Sequence, residues 1–374
     1  MSAVEQEVKE FESLAEVLEH MPTPTDVASG YRRYIERKAR EKGVPISGIF
    51  ELTPLCNLDC KMCYVHLTSE QMGNKTPLSV EQWKSLMKEA VDHGMMYATL
   101  TGGECLLYPG FDEVYLYLQS LGVRVALITN GLLLTSERIR FFQTHPPISI
   151  QVSFYGASES GYENVTGHQV FALVKNNTLK AKAAGLPIKA GITSSHFMGR
   201  EDEALIDLLI KMQIPFTINS TLFPARPETG RTLQAFDQSV DDYIRLRKAY
   251  MERRGAVLPI PCEESIQQII PAMGIQCGAG TSGFSIDWRG RMYACTMLPD
   301  IVALPLEEGF TAAWKSIHDA AIKYPNPQEC AKCQYQTICP QCVAAHRKGA
   351  LPGHANPSIC ALTKALIAEI SKER

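Results

Sequence analysis

The chain has 374 residues, 45% of them hydrophobic, with 37 basic against 40 acidic side chains and a formal net charge of -3. That length exceeds one typical domain and allows a large core plus a smaller attached module. The near balance of charge gives no basis for a polyanionic partner, so nucleic-acid binding is not expected.

The N-terminus, Met-Ser-Ala-Val-Glu-Gln-Glu, lacks the basic-then-apolar pattern of a secretory signal. No later stretch approaches the roughly 18 unbroken apolar residues of a membrane span, so a cytoplasmic protein with no membrane partner is expected. Twelve cysteines in a reducing compartment are poor candidates for disulfides, and their short spacings point to metal ligation.

Residues 1–45 read as lead-in helices with a Pro-rich bend at Pro22 and Pro24. Their basic face (Arg32, Arg33, Arg37, Lys38, Arg40, Lys42) is read as an ordinary solvated one rather than a docking site for an acidic peptide. Apolar runs at 46–53, 97–101, 124–129, 149–154, 188–193 and 216–222 then alternate with amphipathic helical patterns. Ser79 and Gln82 form a capping box for a helix from Val80, with Gly94 at its end; Gly122 and Gly185 close later helices. Met95 and Met96 are both expected in the core. Six βα units in regular order imply a parallel sheet with right-handed crossovers, better suited to an open partial (β/α)6 barrel than to a closed eight-fold one. Chemistry is then expected at the C-terminal strand ends. The alternation covers 46–235, a linker helix occupies 236–256, and a cysteine-rich domain spans 257–374.

Directly after the first strand comes Cys56-Asn-Leu-Asp-Cys60-Lys-Met-Cys63-Tyr64. A 4Fe-4S cubane normally takes four thiolates, so three leave one iron open to a cofactor or substrate. Zinc is the competing reading, with no fourth Cys or His at a usual spacing to complete it. The second strand ends in Gly102-Gly103-Glu104, where glycines permit close backbone approach and a carboxylate can accept from an ammonium group. Cys105 follows and is read as a buried thiol.

The C-x3-C-x2-C spacing followed by an aromatic residue resembles the signature of the radical S-adenosylmethionine (SAM) superfamily over residues 46–235. The resemblance implies that Cys56, Cys60 and Cys63 bind a 4Fe-4S cluster and that Tyr64, Gly102, Gly103, Glu104, Asn130, Ser153 and Ser194 contact SAM. Many members carry an arginine ten to twenty residues after the fourth-strand serine, and the stretch 162–167 has none.

Further on stand Cys277, Cys295, the run Cys330-x2-Cys333-x5-Cys339-x2-Cys342, and Cys360. This order resembles the SPASM domain of peptide and protein maturases, with one spacing a residue short before Cys342. A zinc ribbon is the competing reading of its C-x2-C pairs. By the SPASM resemblance, Cys330, Cys333, Cys339 and Cys360 ligate an outer auxiliary 4Fe-4S cluster, while Cys277, Cys295 and Cys342 bind an inner one. Cys262 is the spare thiol that either completes the inner cluster or leaves its iron open to substrate.

The two resemblances together imply reductive cleavage of SAM, hydrogen abstraction from a ribosomally made peptide or small protein, and electrons from a flavodoxin- or ferredoxin-type donor. Leader recognition is expected to need a separate protein or another surface, because only about 45 residues precede the first strand. Sulfatase maturases carry an aspartate base after the cysteine corresponding to Cys295; Thr296 stands here and argues against formylglycine formation. The alternatives are a sulfatase-type maturase with a relocated base, a sugar or aminocyclitol dehydrogenase or epimerase, and a non-catalytic iron-sulfur or zinc scaffold.

Overall fold

The computed structural model describes residues 24–219, 222–223, 225–231, 239–254, 271, 273–331, 333–336, 339, 342–347 and 350–372. Cys262 and the expected boundary at 257 lie outside these residues.

Six strands appear where apolar runs were read: β1 (Ser47–Glu51), β2 (Tyr97–Thr101), β3 (Arg124–Thr129), β4 (Ser149–Phe154), β5 (Ile188–Thr193) and β6 (Phe216–Asn219). They pair in parallel in sequence order, β1 with β2 through β5 with β6. Three further strands, β7 (Gly283–Ile286), β8 (Met292–Tyr293) and β9 (Val302–Ala303), extend the same sheet in the order β6-β5-β4-β3-β2-β1-β7-β8-β9. β7 runs parallel to β1, with Ser47 opposite Gly283 and Phe50 opposite Ile286, while β8 and β9 are antiparallel. The cysteine-rich part of the chain therefore shares backbone hydrogen bonds with the strand that precedes Cys56.

The helices follow local rules. α1 spans Pro24–Lys42 and α2 spans Val80–Asp92. The capping box of α2 forms as read, Gln82 N–H donating to Ser79 Oγ and Ser79 N–H to Gln82 Oε1, and its apolar stripe of Trp83, Leu86, Met87 and Ala90 faces the sheet. The remaining long helices are α3 (Phe111–Ser120), α4 (Ser136–Thr144), α5 (Glu159–Thr166), α6 (Phe171–Ala183), α7 (Glu201–Lys211), α8 (Val240–Arg254), α9 (Phe310–Ile322) and α10 (Pro357–Ser371). Gly122 and Gly185 follow α3 and α6 with φ of 77° and 82°, the left-handed geometry that ends a helix.

α9 clamps β7 onto the barrel: Phe284 stands edge-on to Phe50 at 5.8 Å and to Phe310 at 5.4 Å. Trp314 on the same helix donates its indole N–H to the Gly43 carbonyl. On the basic face of α1, Arg32 pairs with Glu36, and Arg37 and Lys38 with Glu41, within the helix. One core assignment is corrected. Met95 is buried, but Met96 is 43% exposed, because successive side chains entering β2 point to opposite sides. Among the described residues no helix is long and apolar enough to cross a membrane.

Candidate active site

The loop bearing Cys56, Cys60 and Cys63 leaves the C-terminal end of β1 and is fixed mainly through its backbone. Gly103 N–H donates to Thr53 O, Glu104 N–H to Leu55 O and Leu67 N–H to Pro54 O. On the far side, Asp59 and Lys61 donate to the carbonyls of Thr166 and Val165, at the end of α5. Arg231 adds a charged tie, bonded to the Asp59 carboxylate and the Cys60 carbonyl. A loop held in this way can present three thiols without depending on them for its shape.

Those thiols share one buried space. Burial pushes the Cys56 thiol up to about 12, with further lifting from Glu104 and Cys63. Cys60 is raised well above the ordinary thiol range, chiefly by burial and then by Cys63 and Cys56. Thiols so disfavoured as thiolates are poor nucleophiles, whereas a coordinating metal removes the proton outright. The set fits an iron-sulfur cluster better than covalent catalysis. Tyr155 directly follows β4, and its phenol is raised well above the ordinary range by burial and then by Cys60, Cys63 and Cys56. Among the described residues no three His, Cys, Asp or Glu side chains close on a single ion-sized point. A cubane instead spreads its thiolates over its corners.

Gly102 and Gly103 face the cysteine loop itself. A Cβ at Gly102 would lie 2.4 Å from Thr53 O and one at Gly103 2.3 Å from Leu55 O, and Gly102 has φ of 146°. The glycines let β2 approach the backbone that carries Cys56. Gly103→Ala is expected to push that loop away and to lower iron retention on the first cluster severalfold, measured as iron per chain. Retention equal to the native protein would show that the loop tolerates the shift.

Glu104 is 1% exposed and accepts from Thr129 Oγ1 at 2.9 Å, Asn130 N–H at 2.7 Å and Leu106 N–H at 3.1 Å. A carboxylate offers about four lone-pair sites, so one remains for an ammonium donor. Burial raises its carboxyl above the usual range, and the hydrogen bonds oppose that rise. Asn130 Nδ2 reaches Asn57 Oδ1 at 2.7 Å and Cys56 Sγ at 3.7 Å, linking β3 to the thiol loop. Cys105 is fully buried, its thiol directed at Ile128 O. Ser194 is also fully buried and bonds Asp202 Oδ2 at 3.0 Å, which ties it to Arg245 on α8.

Tyr64 opens the largest cavity of the region, about 900 Å³, which also touches Phe223, Arg226, Thr296, Met297 and Val302. Arg226 forms a buried two-contact pair with Glu51, at 2.7 and 2.9 Å, and its guanidinium lies 5.7 Å from the Tyr64 ring centre. The cavity thus lies between the thiol loop and the strands contributed by the cysteine-rich region. Tyr155, Arg226 and Arg231 carried no sequence signal, because each meets its partner across a long separation in the chain.

The C-terminal thiols form two groups. Cys330, Cys333, Cys339 and Cys360 line one cavity of about 150 Å³. Burial pushes Cys330 up to about 12, followed by Cys339, Cys360 and Cys333. Cys295 is pushed up to about 11 by burial, then by Cys342 and Cys277. Cys262 lies outside the described residues.

A parallel sheet presents a three-thiol loop at its C-terminal edge beside a wide cavity, the layout of an α/β barrel whose site lies at the strand ends. Residues 50–209 match the Radical SAM superfamily. It is 32% identical over 208 residues to the sporulation killing factor maturation protein SkfB of Bacillus subtilis, covering 54% of this chain and 49% of that protein. The chain therefore spans about half the length of that relative. It is 25% identical over 321 residues to the AdoMet-dependent heme synthase of Methanosarcina barkeri, covering 79% of this chain and 90% of that protein. The fold matches Streptococcus suis SuiB bound to S-adenosylmethionine with a TM-score of 0.67 at 14% identity, over 93% of this chain and 85% of that one.

Proposed function

We propose that the chain modifies a ribosomally made peptide, using SAM held over a 4Fe-4S cluster on Cys56, Cys60 and Cys63, with two auxiliary clusters in the cysteine-rich region. The observation that carries the reading is the position of the 900 Å³ cavity, which Tyr64 joins to the thiol loop and Thr296 to the inner C-terminal thiol group. A pocket of that size lies within the range of ligand-binding clefts and can take a short peptide segment. SkfB is named as a maturation protein, and one SuiB structure holds a precursor peptide, which supports the same substrate class.

The bound cluster would supply one electron to cleave SAM, giving a 5′-deoxyadenosyl radical that takes hydrogen from the substrate. In this reading Glu104, with its remaining acceptor site, receives the SAM ammonium, while Asn130, Gly102 and Gly103 hold the thiol loop in place. Ser153 and Tyr155 line the approach, and Tyr64 separates the SAM side from the substrate cavity. Ser194, committed to Asp202, steadies the fifth strand end. Residues 46–235 would form the SAM-binding unit, 236–256 the link and 257–374 the cluster-bearing unit. A flavodoxin or ferredoxin would deliver the electron in the cytoplasm, and a separate protein would present the leader.

Similarity over nearly the full length of a heme synthase favours a second reading, oxidation of a non-peptide substrate. Anaerobic reconstitution should give about twelve irons per chain for three 4Fe-4S clusters. Bound zinc with only about four irons would remove the auxiliary clusters. In Cys262→Ala, conversion of one auxiliary cluster to a three-iron form would make Cys262 its fourth ligand. An unchanged spectrum that responds to an added thiol peptide would leave that iron open to substrate. If the gene's neighbourhood encodes a short Cys-rich peptide, that peptide in deuterated form tests the substrate class. Deuterium in the released 5′-deoxyadenosine supports peptide modification, and its absence favours the second reading.

A further inference from the structure

β9 ends the nine-strand sheet, paired with β8 on one side and, among the described residues, with no strand on the other. Its register decides which way its main chain faces. Ala294 N–H donates to Ile301 O, so the next hydrogen-bonded pair along the ladder is Met292 with Ala303, and Tyr293 opposite Val302 is a non-hydrogen-bonded pair. The N–H and C=O of Val302 therefore point away from β8. Among the described residues neither has a hydrogen-bond partner. Leu304, two residues on, also turns outward, but its N–H donates to Glu308 Oε1 at 2.7 Å and its carbonyl accepts from the N–H groups of Glu307 and Glu308. One residue of open sheet edge is left.

Val302, Ala303 and Leu304 all line the 900 Å³ cavity. Successive strand side chains point to opposite faces, so a cavity that touches all three runs along the edge of β9 rather than over one face. Val302 and Leu304 are 45% and 40% exposed, an apolar pair beside open backbone, a combination that proteins ordinarily blunt with charge or cover. Pro299 and Pro305 bound the strand, so a second sheet finds no run of N–H groups to pair with. The edge suits a short extended backbone, which offers one carbonyl and one N–H at strand spacing.

We propose that β9 receives an extended segment of the substrate peptide as an added strand. Val302 exchanges two main-chain hydrogen bonds with one peptide residue, and the Val302 and Leu304 side chains pack against apolar side chains two residues apart in the peptide. This rests on the reading of the cavity as a peptide site. The cavity wall continues from β9 through Met297 and Thr296 to Tyr64, which follows Cys63, so a peptide held by its backbone at the edge carries a neighbouring residue towards the thiol loop. Main-chain pairing sets where the peptide lies and tolerates many sequences.

The probe is the uncharged pentapeptide acetyl-Val-Thr-Val-Thr-Val-amide at millimolar concentration, beside a version N-methylated at every residue. Calorimetry with the full chain is expected to show binding of the first, and amide exchange should slow in the fragment bearing Val302. Full N-methylation should weaken binding about tenfold, because it removes the donor to the Val302 carbonyl. Val302→Pro, which lacks the edge N–H, should weaken the unmodified probe by about the same factor, and Val302→Thr, which keeps it, by less. Circular dichroism of Val302→Pro should match the native protein, since the lost N–H lies outside the β8 ladder. If proline disturbs the fold, the methylated probe on the native chain still decides.

Equal binding of the two probes, or binding of neither, would overturn the inference. So would protection at Val302 that grows with protein concentration in the absence of probe, which would seat a second copy of the chain there. The readout is binding alone, so with the edge idle, deuterium passing from a peptide to 5′-deoxyadenosine would still uphold the substrate reading. Absence of that transfer would remove the peptide reading even where the probe binds.

Discussion

Replacing Cys56, Cys60 and Cys63 together by alanine is expected to reduce 5′-deoxyadenosine formation to background while iron falls from about twelve to about eight atoms per chain. The fold should survive. The loop is held by Gly103 N–H to Thr53 O, Glu104 N–H to Leu55 O, and Asp59 and Lys61 N–H to the end of α5, none of which involves a thiol. The loss is the sulfur atoms with the His66 N–H bond to Cys63 Sγ and the Asn130 contact to Cys56 Sγ, a modest penalty beside the chemistry removed. Cys330, Cys333, Cys339 and Cys360 line a separate cavity of about 150 Å³, so a cluster held there should assemble independently. Circular dichroism and the auxiliary EPR signals check the fold, and chromatography of the SAM cleavage products checks the activity. Sustained 5′-deoxyadenosine release from the triple variant would place SAM cleavage elsewhere in the chain.

The barrel was legible because each strand is a short apolar run with turn residues on either side, and each helix carries its own signals, as Ser79 and Gln82 do for α2. β7 was not. Gly283-Phe-Ser-Ile286 is buried at all four positions, which leaves no alternation to read, and its partner β1 lies more than two hundred residues earlier. The cysteine groups were visible because ligand spacing is local. What lies between them was not: Glu51 meets Arg226, and Thr296 and Tyr64 come to line one cavity, only once the sheet has formed. The glycines beside Glu104 were placed correctly at a strand end, but their immediate neighbour is the thiol loop, a contact that sequence alone cannot specify.

Arg226→Ala is expected to destabilise the protein by about 3–5 kcal/mol, the usual cost of leaving one member of a buried ion pair behind. Glu51 is 1% exposed at the end of β1, and burial already raises its carboxyl above the ordinary range despite the opposing pull of Arg226. Without the guanidinium that rise becomes larger. In the variant the folded state keeps a proton that the unfolded state releases, so its stability falls as pH climbs from the ordinary carboxylate range towards neutrality and recovers in acid. The deficit relative to the native protein, measured by urea unfolding, should therefore be wider at about pH 8 than at about pH 5. Glu51→Gln combined with Arg226→Met removes both charges while keeping much of the volume, and should recover most of the loss. A deficit below about 1 kcal/mol, or one that does not change with pH, would show that the pair is solvated enough to be dispensable. The same variant also removes the guanidinium that lies 5.7 Å from the Tyr64 ring centre at the cavity wall, while the backbone N–H of residue 226 keeps its bond to the Tyr64 carbonyl.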